Sequence, residues 1–230
     1  MSLIKSDGPK YIHRALQEPR DCSAVGRTLL NAYIMHESSE RQTVLRYLSL
    51  ARNGLFAELV QALDPNHAEV LTKELVKMET LPFIGIRDIS VAVPNGQDRV
   101  PRRTYFLHDA MYTLFDELWL KPEQVKRDSQ RLVDWYDEQL RSRTDHELLV
   151  ESLFYRMRAD PETGYHWYLQ QADQAIRSAQ TGLDMRLRDA MGLFLASAAE
   201  ADGDDEGQTL SSPIDRANIQ ALMPEIFDDF

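Results

Sequence analysis

Apolar residues recur at three- and four-residue intervals through most of the chain. The exception is residues 90–106, SVAVPNGQDRVPRRTYF, where apolar and polar positions alternate about a Pro-Asn-Gly turn. The first period is that of an amphipathic helix, the second that of a half-buried strand. After Asp21 the run CSAVGRTLLNAYIMH puts Val25, Leu29, Leu30 and Tyr33 on one helical face. From Ser39 a second helix groups Val44, Leu45 and Leu48, and Asn53-Gly54 supplies its cap or a turn. LFAELVQAL, 55–63, reads as a short helix closed by Asp64-Pro65, with Asp64 capping the next helix and Pro65 in its first turn. In that next helix, NHAEVLTKELVKMET, the residues Leu71, Leu75, Met78 and Leu81 step by four, three and three and form one buried stripe. FIGIRDISVAV and RVPRRTYF then pair as a hairpin around Asn95-Gly96, a dipeptide suited to a tight turn.

Past the hairpin the helical period returns. DAMYTLFDELWL reads as one helix and PEQVKRDSQRLVDWYDEQLRSR as another, started by Pro122, with Val125, Leu132, Tyr136 and Leu140 on one face. Thr144-Asp145-His146-Glu147 is a capping box for ELLVESLFYRMRA. Asp160-Pro161 separates that helix from a last helical region over about 163–200, with Gly182 as its weak point. ADGDDEGQTLSS has the composition of a flexible acidic linker, and PIDRANIQALMPEIFDDF follows it. The expected fold is mainly α with one β-hairpin. Its divisions are 1–108 (N-terminal helix, helices and hairpin), 109–200 (a helical dimerisation or effector domain) and 201–230 (acidic linker and tail).

Composition narrows the function. Hydrophobic residues are 43% of 230 and charged residues 27%, enough to build a substantial core. No apolar run approaches the roughly 18 to 20 residues of a membrane span, and MSLIKSDGPKYIHR holds no signal core, so a cytoplasmic protein is expected. Cys22 is the single cysteine, which excludes an internal disulfide and a multi-thiolate site. The six histidines show no paired ligand spacing, and no nucleophile elbow, phosphate-binding glycine loop or dinucleotide fingerprint is present. The expectation is therefore no metal, no cofactor and no catalysis. Phe154, Tyr155, Tyr165, Trp167 and Tyr168, with Trp119 and Trp135, read as core before they read as a ligand pocket. The net charge of −11 is unevenly spread: residues 1–106 hold 14 Lys/Arg against 12 Asp/Glu, while 107–230 hold 12 against 25. Such asymmetry suggests two roles.

Residues 39–106 run helix, short helix, tight turn, helix, hairpin, an order that resembles the winged helix-turn-helix regulators of MarR, GbsR and PadR type. RRTYFLHDAMYTLFDELW is similar to their passage from the wing into a dimer-building helix. The resemblance implies a dimeric DNA-binding transcriptional regulator. Asn66, His67, Thr72 and Lys73 would then meet base edges in the major groove, and Arg99, Arg102 and Arg103 of the wing would hold phosphates or enter the minor groove. Two features depart from the pattern: Leu81-Pro82 stands where a Gly usually precedes the wing, and Glu69, Glu74 and Glu79 accompany Lys73 and Lys77. Carboxylates near the groove repel the DNA backbone. The helix over 122–143 is expected to pair with its symmetry mate. The alternative is a non-catalytic interaction subunit in which the winged helix and the acidic tail dock partner proteins, with Ile226, Phe227 and Phe230 as the tail's anchors.

Overall fold

The side chain of Ser38 accepts a hydrogen bond from the Arg41 N–H at 3.2 Å and opens helix α1, Ser39–Leu50. This is the first full element of a computed structural model that describes residues 33–92, 99–118, 120–142 and 144–200. Most of the helix expected after Asp21, Cys22, the Asn95-Gly96 turn, Trp119 and the tail with Ile226, Phe227 and Phe230 lie outside the described residues. The chain divides into two compact units after Leu120, so the helix following the hairpin belongs to the first unit rather than opening the second.

In the first unit α1 buries Val44, Leu45 and Leu48, and Gly54 then turns the chain at φ +95°. The helix expected from 55 begins two residues later, as α2, Ala57–Leu63. The reason is that Leu55 exchanges two backbone hydrogen bonds with Tyr105, at 2.6 and 2.8 Å, and is thereby held extended. Asp64 does not cap the following helix: its carboxylate accepts from the His67 N–H at 3.2 Å and closes the 64–67 turn. Helix α3 starts only at Ala68 and runs to Lys77, followed by a 3-10 turn, Met78–Thr80. Leu71, Leu75 and Met78 are buried as the stripe requires, each contributing about 1.5–3 kcal/mol of hydrophobic stabilisation, whereas Leu81, its expected last member, follows the 3-10 turn in extended backbone and is only half-buried. Strands β1, Ile84–Ala92, and β2, Arg99–Leu107, pair antiparallel with Arg87 opposite Thr104. That register is the one a hairpin centred on Asn95-Gly96 dictates. Helix α4, Asp109–Leu118, packs on α1, as does α3.

The second unit is four sequential helices: α5, Pro122–Ser142; α6, His146–Ala159; α7, Pro161–Arg177; and α8, Thr181–Glu200. The cap of α6 is Asp145, which accepts from the N–H groups of Glu147 and Leu148, one residue later than a capping box begun by Thr144 would place it. Asp160 caps α7, with Pro161 in its first turn. Gly164 lets α7 approach α6 closely, since a Cβ there would lie 2.9 Å from the backbone of Arg156 and Met157. The helical region expected as one piece over 163–200 is broken at Ala179, not Gly182. The Ala179 N–H bonds to the Ile176 carbonyl and the Gln180 N–H to the Ala175 carbonyl, a Schellman cap with a non-glycine residue at φ 53°. Leu153, Met157, Tyr165, Tyr168, Leu187 and Phe194 belong to this unit's core.

Candidate functional site

The residues expected to read a groove lie at one end of α3 and along the hairpin, and the fold brings only some of them together. Asn66 and His67 are exposed in the turn before α3, not in its first helical turn, and His67 Nδ1 is 3.1 Å from Asp64 Oδ1. Thr72 is half-buried, while Lys73 points outward and donates to Glu69 at 2.6 Å across one helical turn. Lys77 donates to Glu74 at 2.9 Å. Glu74 is itself buried, and it also accepts from Arg41 of α1 at 2.8 Å. Burial pushes the Glu74 carboxyl up, but the hydrogen bonds from Lys77 and Arg41 outweigh it and hold its pKa below the ordinary value.

On the hairpin, successive side chains go to opposite faces. Arg103 therefore lies on the face of Tyr105, and both reach Glu79 in the 3-10 turn after α3: the Arg103 guanidinium donates at 2.8 Å and the Tyr105 hydroxyl at 2.7 Å. Burial first, and then Glu79, push the Tyr105 phenol up to about 12. Arg102 lies on the other face, its guanidinium 4.1 Å from the Phe56 ring centroid and 3.6 Å from the Glu58 carboxylate. Arg99 pairs with Ala92 through its backbone, and its side chain is outside the described residues. Arg102 and Arg103 of the hairpin are thus not one stripe.

Charge follows the same logic. From 33 to 106 nine Lys/Arg accompany nine Asp/Glu, so the basic excess of the first half lies entirely in residues 1–32. No protein-family model, curated protein or solved structure matches the chain. The chemistry of this face must be argued from its own geometry.

That geometry is an outer α3 surface on which Val70 and Val76, 53% and 49% exposed, sit beside the Glu69–Lys73 and Glu74–Lys77 pairs. The Glu79 node was missed in the sequence. Its signal was the spacing of Arg103 and Tyr105, two residues apart on one strand face and aimed at the end of the preceding helix. Among the described residues no group of three or more His, Cys, Asp or Glu could hold a metal ion, and no helix is long and apolar enough to cross a membrane. In the second unit Tyr155, Tyr165 and Tyr168 are buried, with Tyr136 stacked on Tyr155 at 5.4 Å and Tyr165 on Tyr168 at 6.1 Å, so these rings are core. Of the α5 stripe on which the dimer expectation was built, Val125, Leu132 and Tyr136 are buried within the single chain and Leu140 is half-buried.

Proposed function

We propose that the chain is a non-catalytic protein-interaction subunit whose first unit is a winged helix used for docking. The order α1, α2, α3, hairpin supports the winged-helix part, and the Leu55–Tyr105 bridge fastens the hairpin to the segment that enters α2. One observation carries the docking role: His67, Lys73, Arg102 and Arg103 each face a carboxylate of their own chain. A phosphate would have to displace that carboxylate and then tolerate it nearby, at a cost on the order of 1 kcal/mol for each pair. Val70 and Val76 lie about 120° apart on α3, on either side of the line of Glu69, Lys73 and Lys77, so the exposed face carries apolar edges flanking neutralised ion pairs, a surface suited to another protein rather than to a phosphate backbone.

A DNA-binding regulator is the second reading, favoured by the exposure of Lys73 and Arg103, 68% and 56% of their side chains. Exposed ion pairs are worth only about 0–1 kcal/mol and yield readily to a stronger partner. Titration of the full chain against labelled duplex DNA at about 50 and 200 mM salt separates the two, because phosphate contacts make affinity fall steeply between those concentrations. The docking reading expects no saturable binding at micromolar protein. It also expects a photocrosslinker at Val70 to capture one defined protein, and Val76→Asp to abolish the capture. Salt-sensitive DNA binding with no such capture overturns it in favour of the regulator.

A further inference from the structure

The two edges of the hairpin differ, and the difference lies in the backbone. Leu55 takes both the N–H and the C=O of Tyr105, so the backbone groups of Tyr105 point away from β1. Ile86, opposite Tyr105, is therefore in a non-hydrogen-bonded pair of the ladder, and its own N–H and C=O point out of the sheet's other edge. Alternation along the strand puts the backbone groups of Asp88 and Ser90 on that edge as well. The Ile84 N–H, on the same side, donates to the Leu81 carbonyl at 3.1 Å, and among the described residues no backbone bond reaches Ile86 or Asp88 from outside the hairpin. The β2 edge is closed by Leu55 and by Pro101, which lacks the N–H that would point outward there. Along β1 the pairing with β2 is continuous from Ile84 to Ala92, so neither proline nor bulge blunts this edge.

We infer that the β1 edge docks an extended segment of another protein, which adds as a third strand antiparallel to β1. Antiparallel pairing is the stronger per residue, and main-chain bonds to Ile86 and Asp88 supply the grip. Side chains set the sequence that fits. Ile86 and Ile89, each 39% exposed, stand on opposite faces of the strand with exposed Arg87 and Asp88 between them. The Arg87 guanidinium lies 5.2 Å from the Phe106 ring centroid, and neither Arg87 nor Asp88 makes an ion pair among the described residues. An incoming strand that reads apolar, basic, acidic, apolar sets these opposite Ile89, Asp88, Arg87 and Ile86 and answers both charges. A second copy does not. In two-fold registers centred on Arg87 or on Asp88 like charges meet, and centring on Ile86 sets Arg87 opposite Gly85 and Asp88 opposite Ile84.

The test is a heteronuclear NMR titration of the full chain with the end-blocked hexapeptide Thr-Val-Lys-Glu-Val-Thr. The amides of Ile86 and Asp88, which point at the added strand, should shift more than those of Arg87 and Ile89, which point at β2. The affinity should be on the order of tenfold higher than for Thr-Val-Glu-Lys-Val-Thr, in which two cross-strand charge pairs turn from attraction to repulsion. Arg87→Glu with Asp88→Lys should invert that preference. N-methylation of the peptide lysine, whose N–H faces β1, should abolish binding, whereas N-methylation of the glutamate, whose N–H faces away, should leave most of it; this comparison needs no variant protein. No shift at millimolar peptide, equal affinity for the two peptides, preference for the second, or equal effects of the two N-methyl groups would each overturn the inference. So would shifts of the Ile86 and Asp88 amides with protein concentration alone, which mean that a second copy takes the edge. Slow exchange of those amides in the dilute chain would overturn it too, because the chain's own residues beyond the described ones would then cover the edge. The α3 face takes no part, so capture at Val70 succeeds or fails independently.

Discussion

Gly54→Ala tests the joint between the helices and the hairpin. Glycine holds φ +95° there, a region an L-residue enters at a cost of about 1–2 kcal/mol. The added Cβ would also lie 2.5 Å from Thr104 Cγ2 and 2.9 Å from the Tyr105 carbonyl oxygen. A methyl group can rotate away, but a backbone carbonyl moves only with its strand. Tyr105 is the residue that exchanges two hydrogen bonds with Leu55, and pushing it back weakens bonds worth about 0.5–1.5 kcal/mol each. The expected loss is about 2–4 kcal/mol in the first unit. Because Gly54 lies in the first of two compact units, amide hydrogen exchange is the suitable assay, as it reports opening locally. The Leu55 and Tyr105 amides should exchange about 30- to 1,000-fold faster, at one decade for every 1.4 kcal/mol. Gly192→Ala is the control: no atom lies within 4 Å of a Cβ in that mid-helix position, so it should stabilise by about 0.5–1 kcal/mol. A loss under about 1 kcal/mol at Gly54, or unchanged exchange at Leu55, would refute the reasoning.

Other substitutions probe separate elements. Ala179→Gly relieves a left-handed residue in a Schellman cap and should raise the stability of the second unit by about 1 kcal/mol in a urea melt. Gly164→Ala inserts a methyl group 2.9 Å from the backbone of α6 and should lower it by about 1–3 kcal/mol, as overpacking does. Tyr105 has its pKa raised to about 12, above its unfolded value of about 10, so its stabilising contribution is complete below pH 10 and is lost as pH rises towards 12. Tyr105→Phe should therefore reduce the fall of stability between pH 10 and 12 by about 1.4 kcal/mol per pH unit, measured by denaturant melts at several alkaline pH values.

Where period alone set the structure, the sequence could be read directly. The Leu71, Leu75, Met78 stripe is buried, and alternation about Asn95-Gly96 gives the hairpin register residue for residue. Boundaries set by contacts distant in sequence could not be read. Leu55 has the composition of a helix start, and only its pairing with Tyr105, fifty residues on, makes it extended. The break at Ala179 was hidden for a different reason: alanine is the strongest helix former, and the left-handed cap it adopts is held by two backbone hydrogen bonds, to the Ile176 and Ala175 carbonyls, that no side chain announces. Gly182, three residues later, carried the visible mark and has open space around it. For the candidate site the residue types were evident and their partners were not. Glu69, Glu74 and Glu79 could be read as charges that repel DNA, but not as the particular carboxylates that occupy Lys73, Lys77 and Arg103.

That occupation yields the sharpest prediction about function, because it can be undone. Glu58→Gln, Glu69→Gln and Glu79→Gln together remove the carboxylate charges that face Arg102, Lys73 and Arg103. Glutamine retains a carbonyl that can accept from the same donors, so the Tyr105 hydroxyl keeps a partner and the fold is preserved. The carboxylate charges drawn up against these three cations are then gone. If internal pairing is what keeps this face off nucleic acid, the triple variant should acquire sequence-independent DNA binding that the parent chain lacks. Each phosphate neutralised contributes about −0.9 to the slope of log affinity against log salt. Arg102 and Arg103 leave the hairpin on opposite faces, so one duplex cannot engage all three cations, and the slope should lie near −2 rather than near −3. A slope of that size already present in the parent chain would mean that phosphate displaces the carboxylates unaided, and the regulator reading would stand. No binding by the triple variant would mean that charge pairing is not what separates this face from DNA, and the docking proposal would lose the observation that carries it.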